Sequence, residues 1–119
     1  MKKTLIFFFF LALPVTLLAE TRQKQVEIDH LLKYIQGSGC TFIRNGKEFD
    51  PEATVQHIMG KYNYFKNEIE SAERFIELCA SKSIVTNTSY KISCSGEPPV
   101  ESKAWLLQEL SKFRKRNDK

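Results

Sequence analysis

Apolar residues recur along much of the chain at intervals of three and four, which is the spacing of one face of an α-helix. Ile28, Leu31, Leu32 and Ile35 follow this spacing, and Gly37 then interrupts it. The same rhythm returns further along the chain with different residues. It predicts helices over residues 22–36, 51–67, 71–80 and 102–116.

Other segments carry the signals of β-strands. Asn45-Gly46 stands between the short runs 41–44 and 47–49, and this dipeptide favours the positive φ that a tight hairpin needs at both turn positions. Residues 89–94 alternate between polar and apolar side chains, as a strand with one buried face does. These segments predict a β-hairpin and a third strand.

Polar residues at or just before the start of three helical segments predict where those helices begin. Asp50 precedes Pro51, whose missing N–H costs nothing at the first helical position. Ser71 and Ser102 are the first residues of the last two segments and their predicted N-caps, since a serine hydroxyl accepts hydrogen bonds from free N–H groups at a helix start. The polar stretch 66–68 leaves open whether the third segment is a separate helix or continues the second.

The order of these elements is helix, hairpin, one or two helices, strand and helix. Short strands that bury one face need helices to cover that face. We therefore predict an α+β fold, in which a small antiparallel sheet, the hairpin plus a third strand, packs against three to four helices. A single domain is expected, because a chain of this length supports one modest hydrophobic core.

Residues 1–19 have the parts of a secretory signal peptide. Lys2 and Lys3 give a positive start, a run of apolar residues follows, and Ala19 is a small residue at the predicted cleavage position. The apolar stretch is shorter than the roughly 20 residues that a membrane-spanning helix needs. We expect a periplasmic or secreted domain over residues 20–119, with no stable membrane span after cleavage.

The charge balance argues against a nucleic-acid partner. The chain has 18 Lys and Arg against 14 Asp and Glu, and loss of Lys2 and Lys3 with the signal peptide leaves 16 against 14, a net charge of +2. We interpret the basic C-terminal end as a solvated helix terminus whose cations complement the helix dipole. A nucleic-acid interface would instead spread basic residues and aromatics over one face. The basic residues of this end are Lys112, Arg114, Lys115, Arg116 and Lys119.

Three cysteines are expected to reach an oxidising compartment, where one disulfide and one remaining thiol is the simplest arrangement. If the strands that follow Cys40 and precede Cys94 pair antiparallel, the start of one meets the end of the other. This favours a Cys40–Cys94 bond and leaves Cys79 as a buried helix residue. A Cys40–Cys79 bond remains an alternative at this stage.

No metal site and no cofactor is predicted. His30 and His57 are the two histidines, and neither stands in a Cys-x-x-Cys or His-Glu-x-x-His pattern. Cys40 and His57 form the one candidate pair for cysteine-dependent catalysis. A cysteine in a disulfide is no nucleophile, so the predicted pairing of Cys40 weakens this alternative.

Several blocks resemble a family of short exported proteins of Gram-negative bacteria that is classed as a domain of unknown function. They are GCTFIRNGKEF at 39–49, followed by His57, Lys61-Tyr62 and Phe65, then AERFI at 72–76, ASKS at 80–83 and WLLQEL at 105–110. The resemblance extends over about residues 28–114. It implies an envelope or secreted location and brings no catalytic residues with it.

Polar residues within or near these blocks form a candidate binding surface close to the hairpin. They are Arg44, Asn45, His57, Lys61 and Lys82. We hypothesise an exported binding or interaction module without catalysis, whose partner is an envelope or extracellular protein or a small ligand. The alternatives are a cysteine-dependent enzyme using Cys40 and His57, and an inhibitor or immunity-like protein. A structural role is the competing interpretation of the surface, since the turn itself demands Asn45-Gly46.

Overall fold

The computed structural model describes residues 13–118, with side chains from residue 16 onward. Its helices are α1 Leu13–Gln36, α2 Pro51–Phe65, α3 Ala72–Cys79 and α4 Ser102–Asn117. Its strands are β1 Thr41–Arg44, β2 Lys47–Phe49, β3 Lys91–Ser93 and β4 Val100–Glu101. A short 3₁₀ helix, Lys66–Glu68, follows α2, so α3 is a separate helix.

The four strands form one antiparallel sheet in the order β2-β1-β3-β4. The predicted α+β class and the predicted sheet of hairpin plus third strand are confirmed. The fourth strand was not predicted, because two residues are too few to show an alternation. It pairs Val100 with Ile92 and Glu101 with Lys91 at the edge of the sheet.

The hairpin turn has the geometry that its sequence demands. Asn45 has φ 52° and Gly46 has φ 80°, so both turn residues lie in the left-handed region. Two-residue turns of this kind match the right-handed twist of the flanking strands. The turn sets the register Arg44 opposite Lys47 and Phe42 opposite Phe49.

The disulfide joins Cys40 and Cys94, and the Cys40–Cys79 alternative is wrong. Thr41 of β1 is opposite Ser93 of β3, so the next pair outward in this antiparallel ladder is Cys40 and Cys94. Their Cα atoms are 4.4 Å apart. Cys79 is fully buried and has a free thiol, as predicted.

Two of the three predicted N-caps are confirmed. The Asp50 carboxylate accepts a hydrogen bond from the N–H of Ala53, and the Ser71 hydroxyl accepts one from the N–H of Arg74. The third is wrong, because Ser102 is the first residue of α4 and Glu101 is its N-cap. The Ser102 N–H instead donates to the carbonyl of Tyr90, which ties the start of α4 to the chain entering β3.

Helix α1 begins at Leu13, well before the predicted start at residue 22. The predicted cleavage position at Ala19 therefore lies within α1, while residues 1–12 of the predicted signal peptide lie outside the described residues. No helix within the described range is long and apolar enough to cross a membrane.

The core lies between the sheet and the helices. Helices α1, α3 and α4 each contribute fully buried side chains, and β3 contributes Ile92 from the face that the helices cover. The side chains with the least exposure are those of Ile28, Leu31, Ile35, Phe75, Ile76, Cys79, Ile92, Leu106 and Leu110.

The basic C-terminal end is less solvated than the sequence predicted. Arg114 forms ion pairs with Glu27 of α1 and Glu73 of α3, and Arg116 forms one with Glu109. The prediction of a solvated terminus is wrong for Arg114, because α4 packs against α1 and α3 and brings their carboxylates within reach. Arg116 stays exposed and forms its ion pair within α4. Lys119 lies outside the described residues.

Candidate functional site

A pocket of about 550 Å³ lies along α2, beside the loop that precedes β3. Two neighbouring rows of α2 residues form its floor. Within each row the residues are four positions apart, because positions i, i+4 and i+8 share one side of a helix. Ile84 of the loop closes the opposite side. The two rows are Gln56, Gly60 and Tyr64, and His57, Lys61 and Phe65.

The pocket walls are mainly apolar and reach the protein surface. Tyr64 is 79% exposed and Ile84 is 64% exposed. Gly60 leaves the floor open between Gln56 and Tyr64, because a Cβ placed there would have no heavy atom within 4 Å. A volume of this size lies in the range typical of small-molecule sites.

A hydrogen-bonded chain of three side chains lies at the polar edge of this pocket. The Lys61 ammonium donates to the Tyr90 hydroxyl at 3.1 Å and to the carbonyl of Lys82 at 2.8 Å. The Tyr90 hydroxyl lies 3.1 Å from Nε2 of His57. Because an ammonium only donates, Tyr90 accepts from Lys61 and has its own proton to donate to His57. This assignment leaves Nε2 of His57 unprotonated and puts the imidazole hydrogen on Nδ1.

His57 is held in its neutral form. Burial, together with the positive charges of Arg44 and Lys61, lowers its pKa from 6.5 to about 4. A protonated imidazole here would be a third cation next to two others, and it would lose the hydrogen bond that Tyr90 donates. Burial is the largest cause of the lowered pKa, and the charges of Arg44 and Lys61 act in the same direction.

Arg44 contributes charge rather than a hydrogen bond. Its guanidinium carbon lies 3.8 Å from the centre of the Phe49 ring, a cation–π contact across the hairpin. Its Nε is buried and has no hydrogen-bond acceptor among residues 16–118. Arg44 and His57 also line a cavity of about 10 Å³ behind the pocket, which is about the space of one water molecule.

The loop that carries Ile84 is fixed to the hairpin turn. The Thr86 hydroxyl donates to Oδ1 of Asn45 at 2.8 Å. Within the loop, the Ser83 N–H donates to the Thr88 carbonyl and the Asn87 N–H donates to the Ser83 carbonyl. Asn45 therefore supports one wall of the pocket through its side chain, in addition to its role in the turn.

Comparison with known proteins places the chain in a family. The sequence profile of a family of unknown function, DUF5329, matches residues 22–114. The chain belongs to this family. The resemblance seen in the sequence blocks is thereby confirmed, and the DUF5329 match contains the whole pocket and the hydrogen-bonded chain beside it.

A curated relative of this DUF5329 protein is "Uncharacterized protein YfeK" of Salmonella typhimurium, a Gram-negative bacterium. The two are 38% identical over 55 residues, which is 46% of this chain and 46% of the relative. The aligned part thus spans about half the length of the relative. No solved structure matches the chain.

The five residues of the predicted surface are near one another but have different roles in this DUF5329 fold. His57 and Lys61 line the pocket. Arg44 lies behind them and acts on His57 through its charge. Asn45 holds the loop through its side chain, whereas Lys82 takes part through its backbone carbonyl and has an exposed side chain.

Sequence reasoning missed the residue that connects this site. The alternation of residues 89–94 predicts Tyr90 only as a strand residue, whereas its hydroxyl hydrogen-bonds to Lys61 and His57. Tyr64 was missed as well, although an aromatic residue on the polar side of an amphipathic helix is a signal for a surface contact. The i+4 spacing of Gln56, Gly60 and Tyr64 is visible in the sequence, but the loop opposite them is not.

The structure does not support the cysteine-dependent alternative. Cys40 is bonded to Cys94, so its sulfur is not a thiolate. Burial raises the pKa of the Cys79 thiol to about 11, which keeps it protonated at neutral pH. Among residues 16–118 there is also no group of three or more His, Cys, Asp or Glu side chains that suits a metal ion.

The lowered pKa of His57 predicts a pH-dependent stability. The unfolded chain takes up a proton on His57 near pH 6.5 and the folded protein only near pH 4, so the free energy of unfolding falls as the pH decreases between these values. After allowance for the exposed part of the ring, the expected loss is about 1–2 kcal/mol. Urea unfolding of the wild type and of His57→Gln at pH 7.0 and pH 4.5 measures it.

The His57→Gln variant controls for the acidic residues, because these titrate in both proteins. We expect the wild type to lose more stability than the variant over this range. Equal losses in the two proteins would contradict a neutral, buried His57. An NMR titration of the His57 ring gives the pKa directly, and a value near 6.5 would contradict the same assignment.

Proposed function

We propose that this protein is an exported binding module that takes up a ligand in the pocket along α2, without chemistry on that ligand. The observation that carries the proposal is the pocket of about 550 Å³ with Lys61 and His57 in its wall. A largely apolar cleft with a few polar groups at one edge is the usual form of a ligand site. The hydrogen bonds of Lys61 and Tyr90 keep the polar groups in place before any ligand arrives.

Export is the second part of the proposal. It is supported by the predicted signal peptide and by the Cys40–Cys94 bond, since disulfides persist in the periplasm and outside the cell and are rare in the cytosol. Intact-mass measurement of the protein from a periplasmic or culture fraction tests it. The expected mass is that of a chain starting near Glu20 with one disulfide, and an uncleaved, fully reduced chain in the cytosolic fraction would contradict export.

We propose binding without thiolate catalysis, because no accessible or activated cysteine sulfur lies at the pocket. Cys40 is in the disulfide, and the Cys79 thiol is buried with a raised pKa. His57 hydrogen-bonds to the phenol of Tyr90 and not to a serine or cysteine that it could activate as a nucleophile. The arrangement orients polar groups toward a ligand rather than activating one of them.

An NMR experiment tests where the ligand binds. A small-molecule extract of the bacterial envelope is titrated into the exported, isotope-labelled protein, and amide shifts are followed. We expect shifts at the residues that line the pocket and not where α1 and α4 meet, a surface that shares no residue with the pocket lining. Shifts that avoid the pocket residues would overturn the proposed site.

Gly60→Leu is the matched control, because it fills the floor of the pocket. Gly60 lies inside α2 with open space around its Cβ position, and glycine in a helix interior costs about 0.5–1 kcal/mol relative to alanine. The variant is therefore expected to fold at least as stably as the wild type while losing the ligand-induced shifts. Unchanged shifts in a folded Gly60→Leu protein would place the ligand elsewhere.

A further inference from the structure

At the polar edge of the pocket, the Lys61 ammonium has an N–H group and a positive charge for which the described residues provide no partner. An ammonium has three N–H donors. Lys61 directs two of them to the Lys82 carbonyl and the Tyr90 hydroxyl, which leaves one N–H for another acceptor. Lys61 is half-buried, so this remaining donor is partly shielded from water. The two hydrogen bonds hold the ammonium in position.

Neither cation at this edge is paired with a carboxylate. Within the described part of the chain, Arg44 and Lys61 take part in no salt bridge, whereas Arg74, Arg114 and Arg116 each do. The residues that line the pocket include no Asp or Glu. Burial and the charges of Arg44 and Lys61 together lower the pKa of His57, in keeping with two cations that no carboxylate pairs with.

The rest of the pocket is suited to an apolar group. Tyr64, Phe65 and Ile84 form its walls, and the Tyr64 and Phe65 rings meet edge to face with centroids 4.9 Å apart. An exposed cleft of this kind releases ordered water when an apolar group fills it. Gly60 allows that group to lie close to the helix backbone.

From these three features we propose that the pocket binds a small monocarboxylate with an apolar body. The carboxylate accepts the third N–H of Lys61, and the apolar body lies against Tyr64, Phe65 and Ile84. This inference rests on the proposed binding function and specifies the chemical class of its ligand.

A carboxylate fits this edge better than a phosphate group. Phosphate is recognised best by several donors together, and most effectively by the forked guanidinium of arginine. Arg44 is not part of the pocket lining, since its guanidinium lies over the Phe49 ring. One available ammonium N–H at the edge of a mainly apolar pocket matches a singly charged head group.

Decanoate is the probe, and its affinity for the exported protein is measured by NMR shifts of the pocket residues. Butyrate has the same head group without the long apolar body, and decyltrimethylammonium has the same body with the opposite charge. We expect decanoate to bind at least tenfold more tightly than either. Equal affinity for decyltrimethylammonium would show a pocket that is merely apolar and would overturn the proposal.

Two lysine variants locate the charge that is responsible. Lys61→Met retains an apolar chain of similar length but loses the ammonium, and we expect decanoate affinity to fall at least tenfold. Lys66→Met is the matched control, because Lys66 is exposed, lies one turn further on and does not line the pocket. A Lys61→Met protein that binds decanoate as the wild type does would overturn the assignment of the carboxylate to Lys61.

A measurement on the wild type avoids any effect of Lys61→Met on folding. A bound anionic head group offsets the positive charge of Lys61. Saturation with decanesulfonate, whose head group stays ionised near pH 4, is therefore expected to raise the pKa of His57 above its free value of about 4. An unchanged His57 pKa at saturation would contradict an anionic head group at this edge. If the envelope extract shifts the pocket residues while decanoate does not, the ligand class is wrong and the binding function stands.

Discussion

Replacing Cys40 and Cys94 together by alanine is expected to lower the free energy of unfolding by about 4 kcal/mol. The bond joins residues 54 positions apart, so it removes a large amount of conformational freedom from the unfolded chain. It also closes the sheet where β1 begins and β3 ends, next to the core residues Phe42 and Ile92. Few other substitutions are expected to lower the free energy of unfolding as much in a domain with one small core.

Chemical denaturation with and without a reductant measures this effect. Reduction of the wild type is expected to lower its stability to about that of the double variant. The double variant itself is the control, because its only cysteine is the buried Cys79 and a reductant has nothing to act on. A wild type whose unfolding midpoint is insensitive to reductant would contradict a stabilising Cys40–Cys94 bond.

Arg114→Met is expected to lower the free energy of unfolding by about 2–3 kcal/mol at pH 7. The guanidinium donates to both carboxylate oxygens of Glu27 at 2.9 Å and to both oxygens of Glu73 at 2.7 and 3.0 Å. The Glu27 side chain is only 5% exposed, so its charge lacks the compensation of water once Arg114 is gone. The arginine side chain is 40% exposed, and for this reason the expected loss is below that of a fully buried pair.

A double-mutant cycle separates the buried charge from packing. The hydrogen bond from Arg114 lowers the pKa of Glu27, so Glu27→Gln is expected to destabilise the wild type. In the Arg114→Met background the same substitution is expected to stabilise, because it removes an unpaired buried carboxylate. Lys115→Met, one residue away and exposed, is the control and is expected to change stability by less than about 0.5 kcal/mol. The same sign for Glu27→Gln in both backgrounds would contradict this role of Arg114.

The site shows where local reasoning reached its limit. The sequence places Arg44, His57 and Lys61 on a strand end and on one row of a helix, and that much follows from turn chemistry and helical spacing. The common partner of His57 and Lys61 is Tyr90, which is 33 residues from His57 and 29 from Lys61. No local pattern specifies a contact at that distance along the chain, because any buried tyrosine on a strand face gives the same alternation.

The surroundings of the basic residues in the C-terminal helix α4 also could not be predicted from local sequence. In isolation, a run of Lys and Arg at the end of a helix is stabilised by the helix dipole and by solvent, and the sequence predicted that role. Arg114 instead contacts Glu27, 87 residues away, because three helices converge there. The sequence showed that a positive charge stood at this position but not which carboxylates would surround it.

The sequence alone determined the features that depend on neighbouring residues. Asn45-Gly46 dictated the hairpin, Asp50 and Ser71 dictated two helix starts, and the spacing of apolar residues dictated the helices and the buried face of β3. Tertiary structure alone decided the fourth strand, the surroundings of the arginines and the pocket between α2 and the loop that carries Ile84. The physical reason is range: caps, turns and periodicity act over a few residues, whereas pairing, burial and electrostatic fields depend on groups that only folding brings together.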